Sequence, residues 1–226
     1  MRARRGFIAR IVLTATLVVA CSPAPLLPSA EPMSAEQALQ AALARPVTWP
    51  PLPADPAFIL AARRLCLSDL RVDPNLKFVL EDRREPGTAT VVFGDAKTVA
   101  FCGMKRMAEG IMPDGGSGTQ ARWRPEVGVL VGEGGLTIES GTGAGSWASL
   151  LGLAPGDAVR VRAIVGGRPV DAVLADGIYS VSWPGSGASP TTLVAFDAGG
   201  RELSRIEGEG LAGLFRCREP GCSAPP

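Results

Sequence analysis

The first 21 residues, MRARRGFIARIVLTATLVVAC, constrain everything downstream, because they decide in which compartment the chain folds. Arg2, Arg4, Arg5 and Arg10 form a basic stretch with no acid before Glu31, and Ile11 to Ala20 form an apolar run. That run covers about half of the roughly 20 residues a helix needs to span a bilayer core. The pattern predicts an export signal, residues 1–20, that is cleaved and not kept as a permanent span. A chain that folds after export can close disulfides.

The apolar run ends Leu17-Val18-Val19-Ala20-Cys21, which resembles the lipobox of bacterial lipoproteins. Val18 stands where that family most often has Leu. The resemblance implies that Cys21 becomes the new N-terminus and carries lipid, so that the membrane's outer face is a partner of the mature protein. Two or more acyl chains attach stably where one is marginal. The alternatives are an ordinary secretory signal cut near Ala20 or Ala24, with Cys21 incidental, and an uncleaved anchor.

Removing the signal takes four of the 23 basic residues and none of the 22 acids, leaving a net charge of −3. The arginines are scattered, whereas a nucleic-acid footprint needs positive charge clustered on one face, so no nucleic-acid partner is expected. Beyond Cys21, the cysteines are Cys66, Cys102, Cys217 and Cys222. An even number in an exported chain reads as two disulfides. Four cysteines allow three connectivities; the turn sequence Arg-Glu-Pro-Gly between Cys217 and Cys222 favours pairing those two, with Cys66 then taking Cys102. A four-Cys zinc site is the rival, disfavoured because the two-to-four spacing is not met at both ends.

The chain has a clear order of organisation. Residues 21–33 make a Pro-rich tether. Residues 34–110 hold helices and a first β module: Ser34 and Gln37 form a capping box for a helix from Ala35 to Leu43, residues 46–56 carry too many prolines to continue it, and Asp55 or Pro56 starts a second helix to Cys66. Phe58, Ile59, Ala62, Leu65 and Cys66 recur at helical spacing, which puts Cys66 on the buried side. Strands follow at Leu76 to Glu81, Thr88 to Phe93 and Thr98 to Cys102, split by Arg84-Glu85-Pro86-Gly87 and Gly94-Asp95-Ala96-Lys97.

Residues 111–157 form a Gly-rich connector: a loop at 113–119, a hairpin of Val127 to Val131 with Leu136 to Glu139, the loop Gly141 to Ser146, and a short helix over Trp147 to Leu153. Residues 158–208 form a second β module with strands Ala158 to Val165, Val170 to Leu174, Ile178 to Trp183, Thr192 to Phe196 and Glu202 to Ile206, turning at Gly166-Gly167 and Asp176-Gly177. Along Ile178 to Trp183, Tyr179, Val181 and Trp183 alternate with Ile178, Ser180 and Ser182, which predicts one core face and one solvated face. Residues 209–226 are a tail with the Cys loop. Val91 to Cys102 can be laid beside Val173 to Pro184 as a possible duplication, or as two unrelated hairpins.

The stretch Asp176-Gly177-Ile178-Tyr179 through Trp183-Pro184, with Phe196-Asp197-Ala198-Gly199-Gly200-Arg201-Glu202-Leu203, is similar to segments of uncharacterised exported proteins of high-GC Gram-positive bacteria. It implies the compartment and a β fold, and carries no activity.

Chemistry is scarce. The chain has no His, so triads that need an imidazole to take a nucleophile's proton are closed. Lys77, Lys97 and Lys105 stand in no Ser-x-x-Lys. Gly141 to Ser146 lacks the Gly-Lys-Ser/Thr ending of a phosphate loop. Glu133, Glu139, Asp171 and Asp176 are carboxylates from which a glycoside-hydrolysing pair could be drawn, although turn chemistry already explains both Asp. The acids at 69, 73 and 82 lack calcium-loop spacing. Tyr179 and Trp183 are weak candidates for ligand contact, with core packing the default, and Trp123, between two arginines, is the best aromatic for an exposed contact.

The expectation is a mainly β protein, with one or two small antiparallel sandwich-like or meander modules and short N-terminal helices. It is exported, lipid-anchored and uses no cofactor or metal. Its role is binding an envelope protein or polysaccharide, or structural. The alternative is an extracytoplasmic hydrolase of envelope polysaccharide.

Overall fold

The computed structural model describes residues 33–95, 97–121, 147–184 and 189–208. Cys21, Trp123, Glu133, Glu139, the hairpin expected at 127–139, the loop Gly141 to Ser146, Cys217 and Cys222 lie outside the described residues. The chain divides into two units, residues 1–34 and 35–226, and the fold below is that of the second.

The helices form where the caps predicted them. Helix α1 is Ala35–Leu43. Helix α2, Pro56–Ala61, starts with Pro in its first turn and with the Asp55 carboxylate accepting the Ala57 N–H at 2.9 Å, so the start combines a fixed φ with a satisfied donor. A π-helical turn, Ala62–Cys66, carries it into α3, Leu67–Asp69, with the Leu67 N–H reaching the Ala62 carbonyl. The widened turn leaves Phe58, Ala62, Cys66 and Leu67 all on the buried side.

The strands are β1 (Lys77–Glu85), β2 (Thr88–Gly94), β3 (Thr98–Met107), β4 (Gly110–Ala121), β5 (Trp147–Leu153), β6 (Arg160–Val165), β7 (Arg168–Asp171), β8 (Val173–Ala175), β9 (Ile178–Pro184), β10 (Pro190–Phe196) and β11 (Glu202–Glu207). They make three antiparallel sheets: sheet I in the order β1-β2-β3-β4, sheet II in the order β5-β9-β8, and sheet III in the order β11-β10-β6-β7. The protein is mainly β, as its composition of turns and alternating runs predicts.

Side-chain alternation decides how the sheets stack. Leu80, Val92, Val99 and Phe101 of sheet I pack on Leu151, Leu153 and Ile178 of sheet II. The opposite face of sheet II sends Ala148, Leu150, Tyr179, Val181 and Trp183 into Val161, Ala163, Val165, Leu193 and Ala195 of sheet III. On the outer face of sheet I, Phe58, Ala62, Cys66 and Leu67 cover Val91, Phe93, Ala100 and Cys102. On the outer face of sheet III, Ala42 and Leu43 of α1 cover Ile164, Val194 and Phe196. The order of layers is therefore helix, sheet, sheet, sheet, helix, with β9 buried on both faces.

Cys66 and Cys102 form a disulfide with their Cα atoms 6.1 Å apart, joining the helical layer to sheet I. The Pro-rich connector lies against the body, as its composition suggests: the Thr48 N–H donates to the Pro169 carbonyl at 2.8 Å and the Leu52 N–H to the Arg83 carbonyl at 2.7 Å.

Several expectations are corrected. Residues 147–153 are a strand and not a short helix. WASLLGL is apolar on both faces because the sheet it joins is covered on both sides, and such a run carries no period that separates strand from helix. Residues 113–119 belong to β4 and are not a loop; a bulge absorbs the glycines, so that five residues of β4, from Pro113 to Ser117, stand opposite three of β3, from Met104 to Cys102. Val170 to Leu174 is two strands, since at Ala172 the chain leaves sheet III and enters sheet II. The face of β9 carrying Ser180 and Ser182 is not solvated; both serines are buried. The two hairpins compared as a duplication both exist, but β8 and β9 turn over Asp176-Gly177 alone, whereas β2 and β3 need residues 95–98.

Candidate functional site

The site grows from β1, where Leu80-Glu81-Asp82-Arg83-Arg84 places an acid and a base two apart on each face of the strand, since side chains alternate with period two. Glu81 and Arg83 face the helical layer. Both Glu81 oxygens accept the Asp55 N–H at 3.1 Å, and Oε1 accepts Arg83 Nε at 3.1 Å. Burial pushes the Glu81 carboxyl up, and these bonds only partly oppose that.

Asp82 and Arg84 face sheet II, and both side chains are 0% exposed. Asp82 Oδ1 accepts Arg84 Nε at 2.6 Å. Its Oδ2 accepts the Ser182 hydroxyl at 2.8 Å and the Ser180 hydroxyl at 3.1 Å. Arg84 then reaches the Trp49 carbonyl at 2.6 Å and the Asp171 carbonyl at 2.7 Å. One ion pair thus ties sheet I, sheet II, the end of β7 in sheet III and the connector.

The network continues through hydroxyls: Ser182 lies 2.7 Å from Ser149, and Ser149 lies 3.0 Å from Thr90. A carboxylate accepts only, and each hydroxyl has one proton to give. Ser182 therefore gives its proton to Asp82, Ser149 gives its own to Ser182, and Thr90 gives its own to Ser149. The chain of donors runs one way, and the Thr90 oxygen at its far end keeps acceptor capacity.

Beside Thr90 lies a cavity of about 20 Å³, lined among others by Thr88, Asp114, Trp147, Ser149 and Ser182. The β4 bulge supplies Asp114, whose Oδ2 is buried and has no hydrogen-bond partner among the described residues; Lys105 Nζ stands 3.7 Å away. Bulges commonly re-aim side chains in this way.

The structure places the residues singled out from sequence as follows. Tyr179 and Trp183 are core residues, 0% and 2% exposed, and offer no surface for a ligand. The Tyr179 ring lies over Gly152, where an added Cβ would come within 2.5 Å of its hydroxyl, and burial pushes its phenol up. Asp171 is held by Arg162 through two bonds of 2.5 and 2.9 Å. This bond holds the Arg162 guanidinium above its usual range, and Arg162 also donates to the Leu43 carbonyl at the end of α1 at 2.6 Å. Asp176 occupies a left-handed turn position with φ of 51°. Asp73 accepts the Asn75 N–H, away from Asp82, and the described residues hold no cluster of three or more His, Cys, Asp or Glu suited to a metal ion.

Sequence reading missed Asp82, Arg84, Thr90, Ser149 and Asp114. It took Arg84 and Glu85 for turn residues, so the ion pair looked solvated. The available signal was Leu80, Asp82 and Arg84 on one parity with Ser180 and Ser182 on the polar parity of another strand.

No family model, no curated protein and no solved structure matches this chain. Function is argued from the geometry alone.

Proposed function

We propose that the chain is an exported module, held to the outer face of the cell membrane by lipid on Cys21, that acts by binding an envelope component or by holding an assembly together and not by catalysis. The observation that carries the non-catalytic reading is Asp82: the fully buried acid beside the cavity has both oxygens committed to Arg84, Ser180 and Ser182. A carboxylate that is buried and held by a guanidinium and two hydroxyls serves as a rivet between sheets. The Cys66–Cys102 disulfide fits a protein that folds in an oxidising space, and no helix among the described residues is long and apolar enough to cross a membrane. The lipid on Cys21 follows from the lipobox resemblance.

Two measurements test this. Fractionation of cells expressing Cys21→Ser is expected to move the protein from the membrane to the soluble extracytoplasmic pool; unchanged membrane association would rule out lipid on that cysteine. Capture from intact envelopes with the mature protein is expected to retain a partner, and a Trp123→Ala variant to weaken it. Empty capture removes the binding reading.

A further inference from the structure

We propose that α1 is a hinged flap: it undocks from the outer face of sheet III as a unit while the three sheets stay folded, and the Arg205–Glu36 ion pair is its clasp. Isolated helices shorter than about 12–15 residues are marginal in water, so the nine residues of α1 are helical only while docked. The docking surface is small. Ala42 and Leu43 are buried, Leu39 is half-buried, and the rest of the helix is exposed. Few buried apolar contacts mark a segment that opens below the global free energy of unfolding.

The polar fasteners can let go without leaving charge unpaired. Arg205 on β11 donates to both Glu36 oxygens at 2.8 and 3.2 Å, and Arg162 on β6 donates to the Leu43 carbonyl at 2.6 Å. When α1 leaves, each arginine keeps a carboxylate of its own sheet: Arg205 holds Glu202 and Glu207, and Arg162 holds Asp171 through two bonds. Undocking therefore avoids the cost of an uncompensated buried ion. A third fastener, from Arg45 to the Gly167 carbonyl, is exposed. Downstream the chain is pinned more firmly. The Thr48 N–H is held by the Pro169 carbonyl, and Trp49 packs on the core between sheets II and III. The Trp49 carbonyl accepts Arg84, so freeing it would take a partner from a fully buried guanidinium. The hinge accordingly lies at residues 46–47. Opening uncovers Ile164, Val194 and Phe196, and unwinding nine residues adds about 17 Å to the link that precedes Thr48.

The test is native-state hydrogen exchange, followed by NMR on the purified protein at about 0.1 M and 1 M sodium chloride, for the parent and for Glu36→Gln. The amides from Leu39 to Ala44 are expected to exchange together, at least about a hundredfold faster than those of β6 and β10. Glu36→Gln should speed α1 by about two- to fivefold, the worth of one exposed ion pair, and leave β6 and β10 unchanged. High salt should speed α1 in the parent by a similar factor, because the Debye length falls from about 10 to about 3 Å, and hardly at all in Glu36→Gln. Exchange of α1 at the rate of β6 and β10 would mean that it opens only with the whole fold. A gradient with Leu39 fast and Ala44 as protected as β10 would mean that the helix only frays at its start. Either result overturns the flap. Unchanged α1 exchange in Glu36→Gln, or an equal salt effect in both proteins, overturns the clasp.

Discussion

Sheet II meets its two neighbours by different means. Against sheet III it presents Ala148, Leu150, Tyr179, Val181 and Trp183, and the facing residues are aliphatic throughout. Against sheet I it presents Leu151, Leu153 and Ile178 at one end, but Ser149, Ser180 and Ser182 at the other, where Asp82 and Thr90 receive them. The apolar interface draws its stability from area removed from water, about 25 cal/mol per Å². The polar one gains little net energy from its ion pair, since desolvation of two charges offsets most of their attraction. It does penalise any shift that leaves Asp82 or Arg84 unpaired. The first holds the sheets together, and the second fixes how they are aligned and leaves the space that becomes the cavity.

Asp82→Ala is the strongest way to break this contrast, because it strands the Arg84 guanidinium in the interior. A loss of about 3–5 kcal/mol is expected, read from the denaturant midpoint. Replacing the pair together, Asp82→Leu with Arg84→Met, should recover most of that loss. A double variant as unstable as the single one would mean that the pair contributes net stability. Next, removing the staple with Cys66→Ala and Cys102→Ala should cost about 3–4 kcal/mol on the chain-entropy view of its loop, seen as a lower melting temperature that no longer responds to reductant.

On the apolar side, Gly152→Ala forces a methyl against the Tyr179 ring, and overpacking of this kind costs about 1–3 kcal/mol. Calorimetry should find it clearly less stable than the parent; an unchanged Tm would mean that β9 is not seated on β5 as described.

The smallest effect is on pH dependence. Burial raises the folded-state Glu81 carboxyl, so its contribution is fully present below the unfolded value of about 4.3 and is lost as pH rises through the folded one. Two exposed acids run the other way. The Glu36 carboxyl is drawn down to about 2, chiefly by the Arg205 side chain, and Asp197 is lowered chiefly by the Arg201 N–H. Their support is present above the unfolded values and lost in acid. Glu81→Gln should therefore remove the decline on the side above about pH 4.3 and keep the acid-side loss. A denaturant midpoint whose slope above that pH is unaltered would contradict the assignment.

Local features were legible in the sequence where one residue type has one physical use. Asp55-Pro56 opens a helix, Gly166-Gly167 and Asp176-Gly177 supply the positive φ of tight turns, and Cys66 falls on the buried parity that meets Cys102. The stacking was not legible. A strand buried on both faces need not show it in its pattern: β5 has no polar alternation and looked helical, while β9 alternates with Ser180 and Ser182, whose polar side is buried against Asp82, and looked half-solvated. Asp82 and Arg84 looked like surface because their partners, Ser180, Ser182 and Asp171, lie 87 to 100 residues away. Asp114 was hidden in a glycine-rich run whose bulge appears only once β3 is alongside it.

The account depends most on folding outside the cell, and thiol trapping tests that directly. Cells are quenched in alkylating reagent, fractionated, and the protein is digested without reduction. The prediction is an extracytoplasmic protein in which the Cys66 and Cys102 peptides run joined and unalkylated. A cytosolic protein with both thiols alkylated would contradict it.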